Sequence, residues 1–431
     1  MIARHAIIRG VALCVLLAWL SACNPTAAAP QPSPMSPPGG SSGSVTLLLW
    51  HGWGGAERLA LSRLVDRFNE RHPNGRVLLQ TMPLATLASD LRTAVAAGAG
   101  PHIVLIPNSW VGGMAAAGVL RPLEDTITQP DLDALLPATI GGARAVGRDG
   151  ASHLYGVPIS FDTLALYYNT ANVLTPPDNT IDLISSAHGL SDPGAPRWGL
   201  ALNLSIDNTI GYLYAFGGRI FDDDGALTLS GDGRAGAEKW LNWLLKLSSD
   251  SQLRAQAGSS IAVDRDIKNG RVLMTFGWAH QVAVYRSLWG ERLGVTPLPR
   301  LSETGQAPRP YVKSELLAIN ARAGTAERAA AAEFLHFMVG EEVQRDLLQA
   351  DLQPARRALG LDGTAPQLVV ARAFRHQAEQ GLPLPNSVTR GVVDEELRIM
   401  LERVLMNQAG PVDAVTEADE RIREKLKLYK P

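Results

Sequence analysis

The spacing of apolar positions near the start of the folded part alternates between that of strands and that of helices. Apolar runs at residues 45–50, 76–82 and 102–106 predict strands. Between these runs, apolar residues recur at the 3.6-residue period of amphipathic helices over residues 61–68 and 87–95. A strand, helix, strand, helix, strand order predicts a parallel sheet with helices on both faces.

The loops that follow the first and third predicted strands are candidate ligand sites. In a parallel sheet, ligands bind beyond the carboxyl ends of the strands, which here lead into residues 51–55 and 107–113. Farther along, the pattern predicts extended segments and then a last third, residues 325–430, that is nearly all helical. The extended segments are residues 154–158, 164–169, 199–204, 271–277 and 315–320.

The first 22 residues have the pattern of a signal peptide. Arg4 and Arg9 precede an apolar run at residues 11–20, and small residues then come immediately before Cys23. The apolar run is shorter than the roughly 20 residues that a membrane-spanning helix needs. The sequence Leu-Ser-Ala-Cys at its end resembles a bacterial lipobox, which predicts that Cys23 is lipidated and becomes the first residue of the mature chain. The alternative is an ordinary cleaved signal with a coincidental cysteine.

Residues 23–44 are predicted to tether the folded part to a membrane. From Asn24 onward this segment is rich in Pro, Ala, Ser and Gly and carries no charge. Such a composition cannot bury a core, so we expect a disordered linker after the lipidated cysteine. The prediction places the protein in the bacterial cell envelope, outside the cytoplasm, and leaves open which membrane holds it.

Composition narrows the classes of function. The chain has 431 residues, 46% of them apolar and 19% charged, which is typical of a globular protein with two or three domains. Loss of two arginines with the signal peptide changes the net charge from −2 to about −4. The remaining positive residues are scattered, so we expect no nucleic-acid partner.

The sequence also lacks the usual patterns of metal and cofactor sites. The mature chain keeps a single cysteine, which excludes CxxC zinc sites, and the nine histidines show no HExxH spacing. A GxGxxG pattern at residues 231–236 follows only a short apolar stretch and is not part of a full βαβ unit. We therefore expect neither a metal nor a cofactor.

Eight stretches in order resemble a known family. The chain is similar to the extracellular solute-binding proteins of the carbohydrate-binding, maltose-binding-protein-like group that serve ABC importers. The stretches cover nearly everything from Val45 onward: VTLLLWHGWGG, GPHIVLIPNSWVGGMAAAGVLRPL, LYGVPISFDTLALYYN, AFGGRIFDDDGALTLS, IKNGRVLMTFGWA, GVTPLPR, SELLAIN with AAAAEFLHFMV, and LPLPN.

The resemblance implies an α/β, two-lobe periplasmic-binding-protein fold of type II, the Venus-flytrap arrangement. Each lobe would be a mainly parallel sheet flanked by helices, with a helical C-terminal region. The chain would cross between lobes near residues 159–162, 311–313 and 361–366. The implied segments are residues 45–160 plus 312–365 for the N-terminal lobe and residues 161–311 plus 366–431 for the C-terminal lobe. Such lobes close around a ligand by hinge motion.

A sugar site needs carboxylates or amides for hydroxyl groups and aromatic rings for the C–H faces. Family contact positions carried onto this sequence include His51 and Trp53 after the first strand. They also include Asn108, Ser109 and Trp110 after the third strand, where the family often has a charged pair. A tryptophan beside amide and hydroxyl groups favours stacking and neutral hydrogen bonds instead.

The resemblance places a hinge-proximal carboxylate, which accepts sugar hydroxyls, at Asp162. Asp207 and Asn208 follow the strand at residues 199–204, where an Asp or Asn is equally typical of a helix N-cap. Trp278 stands where the family carries an aromatic residue after a glycine, and the alternative is a buried core tryptophan.

Two further positions come from the second crossing and the last helices. Ser314 belongs to the segment from Lys313 to Glu315, which replaces a glycine-rich stretch usual in the family. Either Arg390 or Arg398 is placed to reach the ligand from a late helix, and we select Arg398; the alternative is a solvated arginine.

The function that these features favour is a monomeric, non-catalytic receptor. It would capture a sugar or sugar derivative, for which we expect a di- or oligosaccharide, and deliver it to the permease of an ABC importer. One alternative is a two-lobe receptor for another solute, such as a phosphorylated polyol or a peptide. Another is a surface glycosidase that pairs Asp162 with Asp207, Glu395 or Glu396.

Overall fold

The computed structural model describes residues 44–192, 194–222, 226–257 and 261–429. The predicted signal peptide, Cys23 and the tether up to residue 43 lie outside the described residues.

The strands are β1 Val45–His51, β2 Gly75–Thr81, β3 Ile103–Pro107, β4 Arg144–Val146, β5 Ser152–Leu154, β6 Val157–Asp162, β7 Leu164–Asn169, β8 Trp198–Leu204, β9 Arg254–Ala257, β10 Val272–Trp278, β11 Leu293–Thr296, β12 Tyr311–Ile319, β13 Gln353–Pro354 and β14 Leu382–Pro383. The helices are α1 Gly55–Arg71, α2 Leu84–Ala96, α3 Val111–Ala116, α4 Gln129–Asp133, α5 Pro137–Gly141, α6 Thr180–Leu190, α7 Ile206–Ala215, α8 Arg234–Ser249, α9 Ile261–Lys268, α10 Val282–Trp289, α11 Thr325–Val339, α12 Glu341–Leu347, α13 Pro366–Gln380, α14 Arg390–Leu405 and α15 Pro411–Lys427. Short 3₁₀ turns lie at Asn108–Trp110, Ala279–Gln281, Gly290–Arg292 and Leu348–Ala350.

The first sheet has the strand order β13-β6-β12-β3-β1-β2, with β14 beside β12. Its β1 strand runs parallel to both β2 and β3, which confirms the parallel sheet predicted from the first five elements. The β12 strand runs antiparallel to β3 and β6. We call this sheet and the helices packed on it the first lobe.

The second sheet has the order β11-β7-β10-β8-β9 and forms the centre of the second lobe. Here β8 is parallel to β9 and β10, whereas β7 is antiparallel to β10 and β11. Parallel neighbours need a long crossover, usually a helix. The antiparallel strands β7 and β12 instead enter their sheets directly from the other lobe, so both sheets are mixed.

The cores follow from fully apolar strands and from helices with one apolar face. All seven residues of β10 are buried, and Trp240 is buried on the apolar face of α8. The predicted helical last third is confirmed: α14 and α15 pack on α8 in the second lobe. A further core contains residues from both sheets, including Phe161 and Tyr167, and α13 packs over it.

Two of the connections between the sheets lie side by side. Asp162 ends β6 in the first sheet, and Leu164 begins β7 in the second, so Thr163 alone joins them. The Thr163 hydroxyl donates a hydrogen bond to the carbonyl of Tyr311, 3.1 Å away, where β12 enters the first sheet. Both chain crossings therefore meet at one point beside the cavity described next.

No helix in the described part of the chain is both long enough and apolar enough to cross a membrane. The same residues bring together no group of three or more His, Cys, Asp or Glu side chains suited to holding a metal ion.

Candidate functional site

A cavity of about 610 Å³ lies between the two lobes, next to the paired crossings. The first lobe contributes residues at the ends of β1 and β3 and the first turn of α1, while the second contributes the turn after β10. We call it the interlobe cavity. Its polar and aromatic lining includes Trp53, Glu57, Asn108, Ser109, Asp162, His280, Lys313, Ser314 and Glu315. Five of the predicted sugar contacts, Trp53, Asn108, Ser109, Asp162 and Ser314, are thus brought together.

Asp162 and His280 form a contact across the cavity. The Asp162 carboxylate lies 2.7 Å from Nδ1 of His280, and it also accepts the backbone N–H of that residue at 3.3 Å. The hydrogen bond to Asp162 raises the pKa of His280, although desolvation opposes the shift. Asp162 ends a strand of the first sheet and His280 follows a strand of the second, so this pair joins the lobes.

Two further carboxylates of the first lobe face the same space. Burial raises the pKa of Glu315 to about 8, and the nearby charge of Glu57 adds to the effect. A hydrogen bond with Trp53 acts in the opposite direction. Burial likewise raises the pKa of Glu57, while His280 opposes the shift. The cavity therefore holds carboxylates that the protein only partly compensates, and these are strong acceptors and donors for hydroxyl groups.

The inner wall carries neutral polar groups with unused hydrogen-bonding capacity. The side-chain oxygen of Asn108 accepts the backbone N–H of Ser314 at 3.2 Å. Among the described residues, the Asn108 side-chain nitrogen and the Ser314 hydroxyl are buried without a partner. Buried polar groups normally find partners, so these two are suited to a polar ligand.

Lys313 organises a second group of predicted contacts. Its ammonium lies 2.7 Å from the Asp207 carboxylate and 3.8 Å from the centre of the Trp278 ring. The Trp278 indole N–H donates to Asn208 at 2.9 Å, and the ring is only 8% exposed. Neither Asp207 nor Asn208 caps α7, because Ser205 is its N-cap. Within this group, Lys313 lines the cavity, and its ammonium covers the face of the Trp278 ring.

Six predicted site residues do not line the interlobe cavity. Asp207, Asn208 and Trp278 belong to the group around Lys313, and the other three are His51, Trp110 and Arg398. His51 is 1% exposed and lies 3.3 Å from the Thr81 hydroxyl through Nε2, and burial lowers its pKa. Trp110 is half-buried against the first core. Arg398 pairs with Glu395 and Glu402 on its own helix, which leaves it as a solvated arginine on α14.

Two of the carboxylates proposed to pair with Asp162 in a glycosidase, Glu395 and Glu396, lie outside the interlobe cavity. Glu396 is buried and paired with Arg421 and Lys425, while Glu395 pairs with Arg398. Neither lines the interlobe cavity.

Sequence reasoning missed Glu57 and His280 as cavity residues. Glu57 lies in the first turn of α1, directly after the glycine-rich loop that was singled out. His280 comes two residues after Trp278, in the turn at the end of β10. Extending each candidate loop by one helical turn would have included both side chains.

Comparisons with known proteins agree on the class of molecule. A sequence model of bacterial extracellular solute-binding proteins matches residues 63–359. The galactooligosaccharide-binding protein of Bacillus subtilis is 24% identical over 378 residues, which are 84% of this chain and 86% of that protein. The maltotriose-binding protein of Pyrococcus abyssi is 28% identical over 181 residues, or 42% of this chain, and the match spans only 38% of that protein.

The fold is shared with solved structures. A cyclo/maltodextrin-binding protein complexed with maltotetraose aligns with a TM-score of 0.79 at 21% identity, over 90% of this chain and 98% of that one. At this identity the likeness shows the fold, which is the predicted two-lobe arrangement.

Proposed function

Because the chain belongs to the bacterial extracellular solute-binding proteins, we propose that its interlobe cavity captures a carbohydrate for delivery to an ABC importer. Family membership places the protein's work outside the cytoplasm. The observation that carries the proposal is the cavity itself, where Asp162, Glu57 and Glu315 face a common space between the lobes. Carboxylates with amide and hydroxyl neighbours match the dense hydroxyl groups of a sugar.

The ligand class that we propose is an oligosaccharide. A cavity of about 610 Å³ falls within the roughly 300–1,000 Å³ of small-molecule sites. Relatives named for binding galactooligosaccharide and maltotriose, and a structural neighbour complexed with maltotetraose, support the same class. The protein's role is capture without chemistry, since binding proteins make up the family and the relatives.

The lipid on Cys23 remains part of this proposal. A soluble receptor diffuses away where no outer barrier confines it, whereas a lipidated receptor on a flexible tether stays near the permease at high effective concentration. Replacing Cys23 by Ser should release the protein from the membrane fraction without changing its affinity for the ligand. Recovery of the Cys23→Ser protein in the membrane fraction would contradict this role.

Isothermal titration calorimetry against a saccharide panel tests the proposal. The panel contains maltotriose, maltotetraose and galactooligosaccharides, with a phosphorylated polyol as the non-sugar arm. We expect saturable binding of at least one oligosaccharide by the purified full chain, and no breakdown of the sugar on prolonged incubation. Binding of the phosphorylated polyol alone would identify a receptor for a different solute.

A matched pair of variants localises the binding. Glu57→Gln removes a carboxylate of the interlobe cavity, whereas Glu70→Gln changes an exposed residue of the same helix. We expect Glu57→Gln to weaken oligosaccharide binding about tenfold, the loss of one charged hydrogen bond to a ligand. Glu70→Gln should bind like the unmodified protein, and equal losses in both variants would move the site elsewhere.

A further inference from the structure

A second cavity, also about 610 Å³, lies between the loop after β13 and one face of α13. It shares no lining residue with the interlobe cavity. Its charged and titratable lining residues are Arg357, Arg372, Arg375 and His376, with Asp362 and Glu379. We call it the arginine cavity.

Arg375 is the deepest of these side chains, at 8% exposed. One of its terminal nitrogens donates to the backbone carbonyl of Arg357, and within the described residues its Nε has no hydrogen-bond partner. Burial lowers the pKa of the guanidinium, while the charge of Glu379 opposes the shift without forming a close ion pair. The Arg375 charge is therefore held away from water with little compensation.

Other buried charged side chains have an ion-pair partner of opposite charge. Asp266 pairs with Arg254 at 2.8 Å, and Glu396 pairs with Arg421 at 2.6 Å. Among the Arg and Lys residues that the structure describes, only Arg375 is buried. No carboxylate in the described part of the chain lies within 4 Å of its guanidinium. Leaving a buried charge unpaired is strongly destabilising, so a partner from outside the chain accounts for the arrangement better than a structural role does.

The other two arginines are available for the same partner. Arg372 is exposed and uses Nη1 to hold the carbonyls of Leu361 at 2.5 Å and Gly363 at 2.7 Å. Its other guanidinium nitrogens have no partner among the described residues. Arg357 is exposed, and its side chain likewise has none in that part of the chain. A guanidinium offers several donors in a planar fork that fits phosphate and carboxylate groups.

We propose that the arginine cavity binds a small anion that carries phosphate or carboxylate groups. Arg375 supplies the buried charge, and Arg357 and Arg372 contribute guanidinium donors from the loop and from α13. The acids Asp362 and Glu379 in the same lining reduce the excess of positive charge. This site is independent of sugar capture, because the two cavities are lined by different residues.

Calorimetry with inorganic phosphate and with citrate, at constant ionic strength in chloride buffer, tests the proposal on the full chain. We expect saturable binding of at least one of these anions. Arg357→Gln should weaken it about fivefold or more, because it removes one charged donor from an exposed position. Arg76→Gln, an exposed arginine of β2, is the control and should bind like the unmodified protein.

Arg375→Met should weaken anion binding more than Arg357→Gln does, provided that circular dichroism shows the variant to be folded. If Arg375→Met does not fold, the Arg357→Gln variant alone tests the proposal. Vesicles of phosphatidylglycerol in phosphatidylcholine provide a second arm that distinguishes a lipid headgroup from a soluble anion. Binding to phosphate but not to vesicles assigns a soluble anion, and Arg357-dependent binding to both assigns the headgroup as well. Absence of saturable binding in every arm, or equal losses in Arg357→Gln and Arg76→Gln, overturns the proposal.

Discussion

Glu396 on α14 and Glu315 on β12 are two carboxylates held largely away from water in different regions of the molecule. Among the C-terminal helices, Glu396 receives Arg421 at 2.6 Å and Lys425 at 2.5 Å. Desolvation alone would raise its pKa, yet these hydrogen bonds hold the pKa below its usual range. In the interlobe cavity, burial and the neighbouring charge of Glu57 raise the pKa of Glu315 to about 8.

Glu396 is a structural charge, whereas Glu315 is available to a ligand. The helical layer supplies its own cations, so Glu396 is paired whether or not anything binds. The interlobe cavity gathers carboxylates with fewer cations, and His280 and Lys313 are already engaged with Asp162 and Asp207. Exchanging Glu396 should therefore lower stability, whereas exchanging a cavity carboxylate should weaken binding or, for Glu315, raise stability at high pH.

The largest expected effect is in the helical layer. Glu396→Gln removes the charge that Arg421 and Lys425 share, so we expect the free energy of unfolding to fall by about 2–3 kcal/mol. Oligosaccharide affinity per folded molecule should not change. Urea denaturation and calorimetry measure the two quantities, and weaker sugar binding without loss of stability would contradict the comparison.

A pH series tests the cavity side of the comparison. The pKa of Glu315 is raised from 4.5 to about 8 in the folded protein. Between pH 4.5 and 8 the folded protein therefore keeps a proton on Glu315 that the unfolded chain has released. The stability due to this group is therefore fully present below pH 4.5 and is lost as the pH rises towards 8. Glu315→Gln should remove that decline, so above pH 8 the variant should have the higher free energy of unfolding. If the free energies of unfolding of the two proteins changed in parallel with pH, the raised pKa of Glu315 would be contradicted.

Asp162→Asn tests the contact between the lobes. We expect oligosaccharide affinity to fall about tenfold, or about 1.4 kcal/mol. The pKa of His280 should also fall, because the hydrogen bond that its ring donates to Asp162 is the main cause of its rise. Calorimetry and an NMR titration of the His280 ring follow the two effects. Asp66→Asn, an exposed position on α1, is the control and should alter neither.

The smallest effect concerns Lys313. Its ion pair with Asp207 is partly exposed, so a double-mutant cycle of Lys313→Met and Asp207→Asn should give a coupling of only about 0.5–1 kcal/mol in stability. Lys313→Met also uncovers the Trp278 ring. A coupling of several kcal/mol would place this pair with Glu396 among the structural charges.

Much of the fold could be predicted because its signals are local. Periodicity located β1, β2 and β3 to within a residue or two, and the parallel pairing followed from the helices between them. The antiparallel entry of β7 and β12 was not predictable from periodicity, because an apolar strand has the same pattern in either direction. It depends on where the chain crosses between lobes.

The site was harder to predict because it is assembled from distant segments. Trp278 follows a glycine, which is typical of an exposed loop, yet it ends a buried strand and is covered by Lys313. Arg398 had an acidic neighbour on each side along its own helix, at Glu395 and Glu402, and these local partners prevail over a distant ligand. Asp162 lies in the cavity because the crossing itself borders it.

The hydrogen bond between Thr163 and Tyr311 limits how the lobes can move. It joins the two crossings at 3.1 Å, so a bend that separates them has to break it. A rotation of one lobe about an axis through this pair would leave the bond intact and keep the two crossings together. Asp162 lies next to that axis and therefore moves least, whereas residues on the far rim of the cavity travel farthest for the same rotation.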